Sequence, residues 1–264
     1  MSEATHVRVR PATTAARWGY GTLGVVGELL ITLGVLILGF LVWQLWWTDV
    51  VASREQQQTV ESLPWAQPAV PTAAATPGQA AQAGPPIAVP QHGDPPVVAV
   101  PAFGTTFATI EVPRWDGNGP VPILEGTDWG KILKHGVGHY QGTAMPGAVG
   151  NFAVAGHRTT YGKPFNRIAE LQVGDAVVIR TEHTWYVYKV TATEIVKPSN
   201  VSVIAPVPDQ PGVTPTQRMI TMTTCNPMYS ASQRFVVHGV LDYWASADDG
   251  SIPAELTAAP SGGS

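Results

Sequence analysis

Cysteine is nearly absent from this chain: Cys225 is the only one in 264 residues. A single thiol excludes an intramolecular disulfide framework and any zinc site built from several thiolates, though histidine and carboxylate sites stay open. Charge is sparse as well, at 13% of residues, and the 15 basic side chains stand against 19 acidic ones for a net charge of −4. The basic residues are scattered, so the chain carries no electrostatic footprint for nucleic acid. Regular helical periodicity is sparse after residue 48, which argues against a helical bundle. Proline (24) and glycine (27) are plentiful instead. The proline is concentrated before residue 102, the pattern of a linker and not of an evenly proline-rich domain.

What the chain does contain falls into blocks. Residues 1–17 are polar, carry Arg8, Arg10 and Arg17 against Glu3, and show no strand or helix period; a disordered cytoplasmic tail is expected. From Trp18 to Trp47 the chain is almost wholly apolar, interrupted by Glu28 and Gln44. Leu29 to Trp47 alone supplies about 19 residues, roughly 28 Å of helix, enough to cross a bilayer core. The run is too long for the apolar core of a cleaved signal peptide, so residues 18–47 are expected to be a retained transmembrane signal-anchor helix. Trp43, Trp46 and Trp47 suit an outer interface, and the arginine excess before the helix keeps the N-terminus in the cytoplasm. Everything after residue 48 is then extracellular, at the cell membrane.

Residues 48–100 read as a Pro/Ala-rich extracellular linker, because Pro64, Pro68, Pro71, Pro77, Pro85 and Pro86 deny regular helix. The folded domain is expected over 101–247, with a disordered tail at 248–264. Strand signals recur at 107–112, 150–156, 176–180, 185–193, 218–225 and 234–244, with a weak helical period from Trp129 to Tyr140 and a short helix from Pro164 to Leu171. Many short strands and little helix make this an all-β barrel or sandwich.

Two strand ends carry the candidate chemistry. Cys225 sits where the β-branched run Met219-Ile220-Thr221-Met222-Thr223-Thr224 meets the turn signal Asn226-Pro227. His157 follows Gly156 at the end of another apolar strand. An imidazole can accept a thiol proton and return it to a leaving amine. Arg234 opens the strand after Cys225, and an antiparallel hairpin sets a strand's first residue beside its partner's last. A guanidinium there would hold a developing oxyanion or substrate carbonyls. The structural alternatives are a buried inert cysteine, a turn histidine and a rim arginine. His135 and His139 are four apart, a spacing that seats a metal on a helix, but Gly136 and Gly138 weaken such a helix and no third ligand is evident. His238 alternates within an apolar strand and reads as structural. No metal or other cofactor is implied.

These residues resemble the sortases, membrane-anchored cysteine transpeptidases of Gram-positive bacteria. The family's Thr-Leu-x-Thr-Cys signature followed by arginine is matched by Thr221-Met222-Thr223-Thr224-Cys225 and by Arg234 after eight intervening residues. Methionine for leucine is the one departure and conserves volume. Gly156-His157-Arg158-Thr159-Thr160-Tyr161-Gly162 and Thr224-Cys225-Asn226-Pro227 are most similar to the class E enzymes. The resemblance covers roughly residues 105–244 and implies an eight-stranded β-barrel with short helices. It further implies a catalytic trio of Cys225, His157 and Arg234, with Thr221 and Thr224 at the substrate. The implied reaction cleaves a sorting signal of Leu-Ala-x-Thr-Gly or Leu-Pro-x-Thr-Gly type between Thr and Gly through a thioester. The partners implied are proteins bearing C-terminal sorting signals and an amine acceptor on lipid II or peptidoglycan. Rival readings are a cysteine hydrolase, an L,D-transpeptidase (which places His and Gly before its cysteine, where this chain has Thr223-Thr224) and a non-catalytic surface scaffold.

Overall fold

Val, Ile, Thr and aromatic residues dominate the segments that form eight strands, and those strands close on themselves. The computed structural model describes residues 14–66, 85–117 and 119–257. The chain divides into two units, residues 1–47 and 48–264. A helix, α1 (Thr14–Ser62), begins in the first and ends in the second. Among its described side chains from Val25 to Trp47 the large apolar ones are exposed, the composition of a lipid-facing surface. Among the described residues one helix is long and apolar enough to cross a membrane.

The strands are β1 (Thr106–Glu111), β2 (Val121–Glu125), β3 (Val137–His139), β4 (Gly150–Ala155), β5 (Ala176–Arg180), β6 (Thr184–Val196), β7 (Arg218–Asn226) and β8 (Gln233–Ser246). They form a closed barrel in the order β1-β2-β3-β4-β7-β8-β6-β5, so no strand is left with an open edge. Most neighbours run antiparallel; β2 with β3 and β4 with β7 run parallel. Side chains of Ile110, Ile123, Phe152, Val154, Ile179, Tyr186, Ile220 and Met222 fill the interior, together with Phe165 and Ile168 from the β4–β5 connection. A second cluster, including Trp185, Val187, Tyr243 and Ala245, packs on the outer face of β5, β6 and β8.

The structure changes the expected boundaries at both ends. Residues 48–62, expected as linker, continue α1 to Ser62, two residues short of Pro64. Their buried positions, Ala52, Gln56 and Val60, recur every four residues, a helical stripe whose central member is polar. Residues 85–100 lie on the barrel: Gln91 and Trp244 exchange both backbone hydrogen bonds, and Ile87 bridges to Ile252. Residues 248–257 are folded too, since the Trp185 indole donates to Ser251 O and Lys189 pairs with Glu255 at 3.0 Å. The remaining parts of the expected tail regions and linker (1–13, 67–84 and 258–264) lie outside the described residues.

The Trp129–Tyr140 segment is helical only from Trp129 to Leu133, capped by Asp128 Oδ1, which accepts from Gly130 N and Lys131 N. It then turns into β3. Gly138 is required there, because a Cβ would lie 2.4 Å from Gly126 O. The short helix expected at 164–171 is a single turn, Ile168–Glu170.

Candidate active site

The parallel pair β4 and β7 builds the floor of the site. Their register runs from Gly150↔Arg218 to Ala155↔Thr223. Two contacts carry the pairing past the end of β4: Gly156 N donates to Thr223 O at 3.1 Å, and Thr224 Oγ1 donates to Gly156 O at 2.7 Å. The same offset extended two residues sets His157 level with Cys225. On the other side of β7, the antiparallel pairing with β8 makes Cys225 and Arg234 direct partners, a pairing with Cα atoms about 4.5–5.5 Å apart. His157 thus lies just past the end of β4, with Cys225 and Arg234 on the neighbouring β7 and β8, at one end of the barrel.

Each side chain has a distinct environment. Cys225 is a half-buried free thiol. The His157 Nε2 atom is shielded from solvent and has no hydrogen-bond partner. Burial, and secondarily the nearby Lys134 ammonium, hold the His157 pKa below that of an ordinary histidine, since both disfavour a second positive charge. The imidazole is therefore neutral at pH 7 and able to take a proton. Its ring lies 5.2 Å, centroid to centroid, from Tyr161. Lys134 sits over the rings of Trp129 and Tyr161 at 4.2 and 5.3 Å. The Arg234 guanidinium donates to Ala231 O and Gln233 O within the β7–β8 turn. It lies at the rim, on the strand paired with that of the thiol.

The two threonines expected at the substrate lie beneath the surface of the site. Thr221 is fully buried, and its hydroxyl is engaged by Asn151 Oδ1 at 2.8 Å and His238 Nδ1 at 2.9 Å. Thr221, expected at the substrate, thus lies beneath the surface and ties β7 to β4 and β8. Thr224 is 3% exposed and holds the β4 end through Gly156 O, so it shapes the site from beneath.

The metal spacing of His135 and His139 also dissolves. His135 pairs with Glu55 at 3.5 Å. His139 points into the barrel, where Nδ1 meets Glu125 Oε2 at 2.6 Å and Nε2 meets Thr143 Oγ1 at 2.9 Å. His238 is held between Thr221 and Glu194, consistent with its structural reading.

Sequence reasoning missed four contributors. Arg158 is buried, and its Nη1 donates to Cys225 O at 3.3 Å and Asn226 Oδ1 at 2.5 Å, fixing the strand end that carries the thiol. Its position directly after His157 was a usable signal. Tyr140 OH bonds Thr223 Oγ1 at 2.9 Å. Tyr161, within the Gly156–Gly162 motif, packs on His157, and Lys134 lies near both, which nothing in the spacing of Lys134 announces. A cavity of about 340 Å³, lined by Ser53, Gln56, Glu111, Trp115, Phe165 and Arg167 among others, lies apart from this trio: none of Cys225, His157 or Arg234 lines it.

Residues 110–242 match the family model described as Sortase domain. The chain is 38% identical over 223 residues to Sortase SrtE1 of Streptomyces coelicolor, covering 81% of this chain and 55% of that relative. The chain thus spans little more than half the length of that protein. It is 34% identical to Sortase SrtE2 of the same organism, over 94% of this chain and 92% of the relative. The structure of the SrtA sortase from Actinomyces oris superposes with a TM-score of 0.61 at 42% identity, over 65% of this chain and 98% of that one.

Proposed function

The chain belongs to the sortase family, whose members are cysteine transpeptidases, and on that premise we propose that it cleaves a C-terminal sorting signal between Thr and Gly and transfers the acyl group to a cell-wall precursor amine. The observation that carries the reading is the double register at β7: Cys225 opposite Arg234, and level with His157.

The chemistry follows from the three side chains. Cys225 Sγ attacks the threonine carbonyl carbon as its proton passes to the neutral His157 imidazole. The oxyanion that forms is met by the Arg234 guanidinium, which leaves its turn carbonyls to donate to it. Collapse breaks the Thr–Gly C–N bond; His157 gives its proton to the departing glycine amine, and the acyl group remains as a thioester on Cys225. An incoming primary amine adds to the thioester carbonyl, loses a proton to His157, and expels the sulfur, which recovers that proton. A resting enzyme and an amide-linked product result. The class E resemblance of the Cys225 and His157 motifs favours Leu-Ala-x-Thr-Gly over Leu-Pro-x-Thr-Gly as the proposed signal. Lipid II supplies the amine, on the outer membrane face where α1 anchors the barrel.

The test uses the full chain in detergent micelles with a Leu-Ala-x-Thr-Gly peptide, with and without an amine acceptor. Mass spectrometry is expected to find Cys225 carrying the acyl fragment that ends in threonine, and the acceptor-linked product to form. The Cys225→Ala variant is expected to give neither while keeping its thermal midpoint. Free acid as the sole product at saturating amine would make the enzyme a hydrolase. Processing that survives Cys225→Ala would remove the cysteine mechanism altogether.

A further inference from the structure

The loop that carries His157 has a strained backbone. Tyr161, Gly162 and Lys163 are consecutive left-handed residues, with φ of 54°, 73° and 40°. Glycine accepts this freely, but a residue with a Cβ is strained by contact between the Cβ and the following carbonyl oxygen. Two non-glycine residues flanking a glycine hold such a conformation only if their surroundings enforce it.

The enforcement comes from two directions. On the barrel side, Phe165 N donates to His157 O at 3.0 Å and Asn166 Nδ2 to Arg158 O at 2.8 Å. On the other side, both strained residues are tied to α1. Gln56 Nε2 donates to Tyr161 O at 3.0 Å, and Asp49 Oδ2 pairs with Lys163 Nζ at 3.2 Å. Gln56 is only 6% exposed, an unusual place for an amide unless its hydrogen bond is used. Gly162 makes the approach possible, since a Cβ there would lie 2.9 Å from the Gln56 amide. A third tie, Glu55 to His135, fastens the same helix face beside Lys134. The held Tyr161 ring packs at once on His157, at 5.2 Å, and on Trp129, at 5.8 Å.

We propose that the stretch of α1 from Asp49 to Val60 is a positioning element of the catalytic centre, in which Gln56 and Asp49 clamp the 157–163 loop so that Tyr161 is laid against the His157 imidazole. This rests on the transpeptidase reading for its effect on rate, though not for its geometry. Gln56 touches neither thiol nor substrate; it acts through Tyr161. The helix that passes through the apolar segment and the support of the catalytic base are then one continuous element.

Release of the clamp has a directional consequence. Lys134 and the Tyr161 ring face His157, while the guanidinium of Arg158, the next residue, is engaged with Cys225 O and Asn226 Oδ1. Freeing Tyr161 admits water to the imidazole, and burial is the first cause of its lowered pKa. The acid limb of kcat/KM then moves up toward the ordinary histidine value.

The experiment compares the wild-type full chain in micelles with Gln56→Met, which keeps the buried volume but loses the donor, with Asp49→Asn, and with Gln58→Met on the exposed face as control. Steady-state kinetics with the sorting peptide are read beside carbon-13 histidine NMR titrations, in which the His157 signal is assigned by its loss in His157→Gln. The expected result for Gln56→Met is a kcat lower by about 10- to 100-fold with KM within about twofold, as misplacement of a catalytic group produces. The His157 titration and the acid limb both shift upward, the thermal midpoint is unchanged, and Gln58→Met behaves as wild type. Wild-type kinetics and titration in Gln56→Met would overturn the proposal. So would a loss of rate that tracks a lowered thermal midpoint with the His157 titration unmoved, which marks a merely structural helix contact. If the wild-type chain processes no peptide, the transpeptidase reading fails, and the NMR titration still decides the clamp.

Discussion

At the scale of single residues, the ionisation of His157 links function to stability. Its folded-state pKa is depressed by burial and by Lys134, whereas in the unfolded chain it titrates near the ordinary value of about 6.5. Above that pH both states hold it neutral and no penalty exists. As pH falls through about 6.5, the unfolded chain binds a proton that the folded chain refuses, so stability declines. The decline ends once pH passes below the depressed folded pKa. Urea titrations at steps from pH 7.5 to 4.5 are therefore expected to show a component of acid destabilisation that His157→Gln removes. A variant whose stability falls with the same slope as wild type across that window would show that His157 is not held neutral by the fold. Lys134→Met is expected to narrow the same window, because it removes the second of the two causes.

At the scale of elements, the β4–β7 junction is where packing sets catalytic geometry. Gly156 ends β4 against the buried Phe165 ring, and a Cβ there would come within 2.8–3.0 Å of ring atoms that include Cγ. Phe165 is fully buried among Trp115, Ile168 and their neighbours and has no room to withdraw. Gly156→Ala is expected to lower stability by about 1–3 kcal/mol, the cost of overpacking a filled core. It is also expected to lower kcat, because the residue displaced next is His157. Denaturant unfolding and kinetics on the same preparation check both; a wild-type rate with reduced stability would uncouple the junction from the base. Elements also show what a sequence can and cannot declare. The strands carrying Cys225, His157 and Arg234 were legible because β-branched or apolar runs stop at Asn-Pro, Gly-His and Gln-Arg boundaries. β2 and β3 were not, since Pro122 sits within one and Gly136 and Gly138 flank and enter the other. Those glycines read as helix breakers, whereas Gly138 is there for close backbone approach. Residues 48–62 escaped notice because the stripe that docks them is Ala52, Gln56 and Val60, and a buried glutamine leaves no hydrophobic period to detect. Thr221, expected at the substrate as part of a catalytic signature, is also buried and bonded to Asn151 and His238, which its place in the signature does not announce.

At the scale of the whole molecule, the reading depends on which side of the membrane receives the barrel. α1 offers one apolar stretch of sufficient length. The positively charged residues near it are unevenly placed: Arg8, Arg10 and Arg17 precede it, while Arg54 is followed closely by Glu55 and Glu61. Basic residues near a span are retained in the cytoplasm, whereas acidic ones contribute little. The 48–264 unit is therefore expected outside, where sorting-signal proteins and lipid-linked amines meet. An exported barrel with one unpaired cysteine also gains from the half-burial of Cys225, which limits its access to oxidants. Orientation is tested by fusing to the C-terminus a phosphatase that is active only after export, beside a fusion to a protein fluorescent only in the cytoplasm. Phosphatase activity without fluorescence is the expected outcome. Replacing Arg8, Arg10 and Arg17 by glutamine, together with new lysines just after Ser62, is expected to shift part of the population toward fluorescence. A fluorescent, phosphatase-silent wild type would place the barrel inside the cell and remove lipid-linked acceptors from its reach, whatever the geometry of Cys225, His157 and Arg234.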